Sequence, residues 1–444
     1  MYKNYWGTVA ALAFAVAVGT LQMTVVVPLL PRLQLKLGVP LSSVSWALTA
    51  GLLAGAVAIP LVAQLGDLYG RRTMSLVVLA SLVGGSVLGA VADSLPLLVV
   101  GRILQGAAAP VLPLAIGQVR NVLPARSLPT AIGVLSATIG AGSGGGMILA
   151  GLAGGDHQLV FWVLAALGVV AFALVAAVRE DRTAEVRSGS PDLLGAVLVS
   201  GWLICLLLAI SKGAEWGWAT VGLLVAAVVL AAVWIATARR TKTPLIEIPM
   251  LLHRKTIGAT VASFLLGFAL FATIMTLSAY AQGVLGASVL QVGLYLLPTT
   301  VLMLVVSVLA GALMRRFSAP ALVAGGSAVV LVAALWLTTL PGDGLGLYAV
   351  AAVLGLGIGL GYAALGTMAV EHVEPAKTAA AGGINALVRV VGSSLAGAVG
   401  AVVLPAGGPG WSFAVAAVAA LLSALFAAAY GNLLRKPATA RLPS

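Results

Sequence analysis

Fourteen apolar runs, each long enough to cross a bilayer as a helix, follow one another through this 444-residue chain. They lie near 7–31, 45–65, 74–92, 96–119, 129–153, 159–178, 192–211, 219–238, 257–283, 288–314, 320–340, 345–370, 378–403 and 411–434. A hydrocarbon core of about 30 Å is crossed by roughly 20 helical residues. Backbone groups in that core must be satisfied inside their own segment, so such a chain folds as membrane helices. The composition excludes the soluble alternative, because only 8% of residues are charged where soluble domains carry about 25%. The first run reads as a span and not as a cleaved signal, since its apolar stretch continues through Leu30 and only Lys3 flanks it.

The 24 Lys and Arg against 12 Asp and Glu would suit a nucleic-acid binder, but their placement follows the membrane. An even number of spans puts both termini on one side, and alternate loops can be scored. Lys3, Arg71, Arg72, Arg120, Arg126, Arg179, Arg182, Arg187, Arg239, Arg240, Lys242, Arg254, Lys255, Arg315, Arg316, Lys377, Arg435, Lys436 and Arg441 fall on the side of the termini. Only Arg32, Lys36 and Lys212 fall opposite, with Arg102 and Arg389 inside spans. The positive-inside rule predicts cytoplasmic termini, in a multi-pass protein of the cell (plasma or inner) membrane. Trp46, Trp162, Trp216, Trp218, Trp336 and Trp411 fall near the opposite span ends, as an interfacial aromatic belt would. The positive charge is a topological signal, and no nucleic-acid partner is expected.

The longest polar interruptions, Arg179 to Pro191 and Arg239 to Lys255, bracket spans seven and eight. They predict a six-helix bundle over 1–180, two additional helices over 181–240 and a second six-helix bundle over 241–444. Gly133, Gly142 and Ser143 of span five recur as Gly383, Gly392 and Ser393 of span thirteen, and the Arg71-Arg72 pair recurs as Arg315-Arg316. Repeats related by an axis along the membrane normal are a transporter feature.

Between spans two and three stands Ala63-Gln-Leu-Gly-Asp67-Leu-Tyr-Gly70-Arg71-Arg72. Gly70 suits a tight turn, while Asp67 is placed to accept from Arg71 or from free amides at a helix start, making a conformational latch. Span four opens Gly101-Arg102-Ile-Leu-Gln105-Gly106, with an arginine some six residues into apolar sequence. A charge at that depth needs water or a partner. Span five carries Gly133, Gly142, Gly146 and Gly151, small residues that let helices pack closely. These three motifs, in this order on fourteen spans, resemble the major facilitator superfamily and its fourteen-helix drug:proton antiporter branch. The resemblance implies an all-α integral membrane fold of two six-helix bundles plus two helices, multidrug or metabolite efflux, and protons as coupling ion.

The chain departs from that pattern at four places. Ala63 stands where the loop motif has its leading glycine. Met147 stands where the antiporter motif has proline and Ala150 where it has a glycine. Gln22 occupies the place of the first helix's acidic residue, and a carboxamide does not titrate. All twelve acids fall in or beside loops, as do His157, His253 and His372. No His, Cys or acid cluster has metal-ligand or triad spacing, and Cys205 has no partner, so neither a metal, a cofactor nor an enzyme is expected. The candidate substrate-binding set is Gln22, Arg102, Gln105, Tyr280, Tyr362, Asn385 and Arg389. Those residues favour a small neutral or anionic amphiphile, and the resemblance implies its export, by a protein expected to be monomeric with membrane lipid as its surroundings. The competing expectations are a facilitator or symporter for an organic anion, and a non-transporting or lipid-moving membrane protein.

Overall fold

A computed structural model describes residues 5–44, 46–178, 192–241, 244, 254–342, 344–371, 373 and 378–435. Among them fourteen helices are long and apolar enough to cross a membrane. They are α1 Tyr5–Leu29, α2 Trp46–Tyr69, α3 Arg71–Ala90, α4 Leu95–Val122, α5 Thr130–Leu152, α6 His157–Ala177 and α7 Leu193–Ile210. The series continues with α8 Trp218–Ala238, α9 Ile257–Gly283, α10 Leu290–Leu313, α11 Ala319–Leu337, α12 Gly344–Val370, α13 Ala381–Leu404 and α14 Ala406–Gly431. No strand occurs among the described residues. The boundary expected at 180/181, the cations Lys3, Arg179, Arg182, Arg187, Lys242, Lys377, Lys436 and Arg441, and His253 and His372 lie outside the described residues.

Backbone chemistry explains the breaks. α4 loses helical pairing over 107–110, where Pro110 has no N–H to donate, and resumes at Val111. α13 and α14 meet in a turn whose non-helical dihedrals are confined to Gly408, at φ 73°. That backbone strongly favours glycine.

Helices α1 to α6 pack among themselves, and so do α9 to α14. The recurring glycines have matching surroundings in the two groups. A side chain at Gly142 of α5 would strike Thr20 and Leu21 of α1; one at Gly392 of α13 would strike Phe264 of α9. Gly85 of α3 closes on Gly101 of α4, and Gly326 of α11 closes on Gly357 of α12. Each partner is displaced by eight helices, so the sequence repeat is a repeat of packing. α7 and α8 form a pair on the outside, and α7 touches both α2 and α13. α8 is the least enclosed span, with Val221, Val225, Val228 and Val229 exposed, as a lipid-facing helix requires.

Candidate functional site

Because consecutive helices reverse direction, the start of α1 and the end of α14 share a face, called here the terminal face. On that face the two groups are closed upon each other. A side chain at Gly383 of α13 would meet Ala63 of α2 at 3.3 Å, and one at Gly382 would meet Pro113 of α4 at 3.5 Å. Arg120, at the end of α4, donates to the carbonyls of Val370 (2.8 Å) and Val373 (2.6 Å) at the end of α12. Val370 is the last residue of α12, at the negative end of its dipole, and its carbonyl accepts from the Val373 amide as well (3.2 Å).

Above this seal lies a cavity of about 370 Å³. Its floor includes Ile59, Leu112 and Ala386, and its walls reach Val27 and Leu48 on one side and Ser278 and Gln282 on the other, toward the face opposite the termini. Residues of α1, α2, α4 and α5 face those of α9, α10, α12 and α13 across it. The lining is mostly apolar, and Met23, Met147, Met275 and Met303 contribute to it. Unbranched thioethers adapt to ligands of different outline. Among the described residues Arg389 is the one charged residue of the lining. Its guanidinium lies 4.8 Å from the centre of the Tyr362 ring, and among the described residues no carboxylate or hydrogen-bond acceptor is set against it. Gly267 makes this placement possible: a side chain there would meet the Arg389 Cα at 3.2 Å, so α9 and α13 could not approach as they do.

The other sequence candidates are distributed differently. Arg102 is 1% exposed, outside the cavity lining, in the fold between α1, α2 and α4. Its Nε donates to the Ala47 carbonyl (2.8 Å), and its Nη1 donates to the Gln22 carbonyl (2.8 Å), Gln22 Oε1 (3.0 Å) and Gln105 Oε1 (2.5 Å). Gln105 Nε2 passes the network on to Ser86 Oγ of α3 at 2.8 Å. Gln22 and Arg102 therefore meet, yet neither they nor Gln105 reach the cavity, and carbonyls supply the partners a buried charge requires. The Nε2 of Gln22 is left buried without a partner. Asn385 accepts from Ser263 of α9, and Tyr280 donates to the carbonyls of Leu340 (3.0 Å) and Pro341 (3.2 Å). Of the seven, Tyr362 and Arg389 line the cavity.

The latch motif is assembled. Asp67 Oδ1 accepts from Arg71 Nε (3.0 Å) and Nη2 (2.9 Å), and Arg71 Nη1 reaches the Gly117 carbonyl (2.9 Å) and Asn121 Oδ1 (3.3 Å) in the last turns of α4. Arg72 donates to the carbonyls of Val175 and Ala176 at the end of α6. Gly70 links α2 to α3 at φ 96°, a region that side chains oppose. Gly133 and Gly151 bring α5 onto Ser307 and Leu290 of α10, while Gly142 and Gly146 bring it onto α1. Sequence reasoning missed Arg120, which it counted among loop cations, and no local pattern sets it apart from them. It also missed the methionines of the cavity, which apolar spans conceal.

A bundle of fourteen membrane helices that encloses an apolar cavity between its two halves, sealed at one face, defines a membrane transporter and not an enzyme. The chain belongs to the Major Facilitator Superfamily, whose description matches residues 12–397. It is 32% identical over 409 residues to the tetracenomycin C resistance and export protein of Streptomyces glaucescens, covering 89% of this chain and 75% of that one. With the puromycin resistance protein pur8 of Streptomyces alboniger it shares 29% identity over 408 residues, covering 88% and 80%. The fold is similar to that of the human organic anion transporter MFSD10 (TETRAN), with a TM-score of 0.69, 18% identity, and coverage of 96% of this chain and 100% of that one.

Proposed function

We propose that this protein exports a small amphiphilic compound, neutral or anionic, by alternating access between the bundles α1–α6 and α9–α14. In this reading the terminal face is cytoplasmic, the membrane is the cell membrane, and the monomer is the working unit. The outward direction is supported by the relatives named for resistance and export. One observation carries the substrate class: among the described residues, a methionine-rich apolar cavity contains a single charged side chain, Arg389, with no anion beside it. An apolar body fits the walls, and a negative or strongly hydrogen-bonding group fits the guanidinium. A cationic substrate would meet repulsion with no carboxylate to relieve it.

The test is a thermal-shift screen of pure protein with matched neutral, anionic and cationic amphiphiles. Anionic and neutral compounds are expected to stabilise it by mass action. Arg389→Gln is expected to lose the response to anions and keep the response to neutral compounds. A response confined to cations would refute the reading.

A further inference from the structure

We infer that transport is electrogenic, with the membrane potential and not a proton gradient driving a substrate that carries one negative charge. The inference rests on the proposed anionic substrate and concerns how its movement is powered. Exchange of a substrate for protons needs a protonatable group that the substrate can displace or recharge. Among the described residues the only acid within a span is Asp67. It stands at the end of α2, is paired with Arg71, and is absent from the cavity lining. At the first-helix position where the resembled branch has an acid, this chain has Gln22, whose Oε1 accepts from Arg102. The one described histidine offers no substitute: His157 begins α6 and is absent from the cavity lining.

What the cavity does contain is a permanent cation. Guanidinium stays charged at any physiological pH. A bound monoanion neutralises Arg389, so the loaded transporter turns with no net charge in its cavity. After release the empty transporter returns with Arg389 uncompensated, and an inside-negative potential draws that charge inward. One negative charge leaves the cell per cycle, and the potential acts on the return step. About 100 mV acting on one charge is worth roughly 2.3 kcal/mol, or about 50-fold in substrate concentration.

The experiment uses the full chain in liposomes and 1-pyrenesulfonate, a monoanion whose sulfonate does not titrate, with neutral 1-pyrenemethanol and cationic rhodamine 6G alongside. A potassium gradient with valinomycin sets an inside-positive potential of about 100 mV, which should concentrate pyrenesulfonate up to about 50-fold inside. A pH gradient of matched energy, at zero potential, should concentrate none. Accumulation that follows the pH gradient and ignores the potential would overturn the inference while leaving the anion reading intact. Movement of rhodamine 6G without movement of pyrenesulfonate would instead overturn the anion reading. Arg389→Gln should lose potential-driven accumulation and Arg389→Lys should retain part of it, with movement of pyrenemethanol reporting an intact fold. Undiminished accumulation by Arg389→Gln would remove Arg389 from the mechanism.

Discussion

Replacing Arg120 by alanine should open the terminal face. Two hydrogen bonds from its guanidinium cross from α4 to carbonyls at and beyond the end of α12, at 2.8 and 2.6 Å. Bonds from a charged donor contribute about 1.5–3 kcal/mol each when buried. Arg120 is only half-buried, so water competes for both ends, and about 1–2 kcal/mol in total is the reasonable figure. The bonds bridge the two bundles and exist only while the seal is closed, so the whole amount enters the equilibrium between states. Their loss should favour the open terminal face by roughly 5- to 30-fold. The assay replaces Cys205, the chain's one cysteine, with alanine and places a reporter at Ala63→Cys, where α2 meets Gly383. Labelling by a charged methanethiosulfonate applied from the terminal face should accelerate by that factor in Arg120→Ala, with Arg120→Lys between. An unchanged rate in a protein that still elutes as a folded peak would refute the clasp.

Three further outcomes follow from the packing. Gly142→Ala should lower thermal stability in detergent by about 1–3 kcal/mol, because the added methyl overlaps Thr20. Gly145→Ala, with only Leu21 at 3.6 Å, should be near neutral, and equal melting of the two variants would contradict the α1–α5 seam. Gly70→Ala should cost about 1–3 kcal/mol, since its φ of 96° is a strained region for a residue with a side chain; a wild-type melting point would show that the turn relaxes freely. Gln22→Glu should raise the melting point at neutral pH, because it removes the unpartnered Nε2 and sets a carboxylate where Oε1 now lies 3.0 Å from Arg102; a lower melting point would show that the cluster requires the amide.

The spans were legible because hydropathy over 20 residues is a property of the chain alone: the twelfth, expected at 345–370, is Gly344–Val370. The latch was legible because Asp67, Gly70 and Arg71 are neighbours in sequence. The cavity was far less so. Position along an apolar helix sets a residue's depth, but which way it faces depends on neighbours, and spans that are apolar all round give no preferred face. Arg102 and Arg389 are the same residue inside similar sequence. One is surrounded by the oxygens of Ala47, Gln22 and Gln105, and the other only stacks on Tyr362. That difference is made by α1 and α2, far away in the chain, and no local pattern carries it.

The two seams between bundles are not equivalent, and the additional helices sit beside the weaker one. α5 meets α10 from Gly133 on Ser307 to Gly151 on Leu290, along its full depth. α2 meets α13 near Ile59, Ala63 and Gly383, while Leu48 and Leu52 face the cavity with Val390 and Ser393. On the flank of that second seam, Val199, Leu203 and Leu207 of α7 pack with Ile59 of α2 and Ile384 and Leu387 of α13. α7 is held to α2 at both levels: the helix that extends it brings Lys212 within 5.6 Å of the Trp46 ring, and the Asp192 amide donates to Gln64 Oε1 at 3.3 Å. Its contact with α13 is apolar and free of such bonds among the described residues, so α7 is tied by directional contacts to the first bundle and by packing alone to the second.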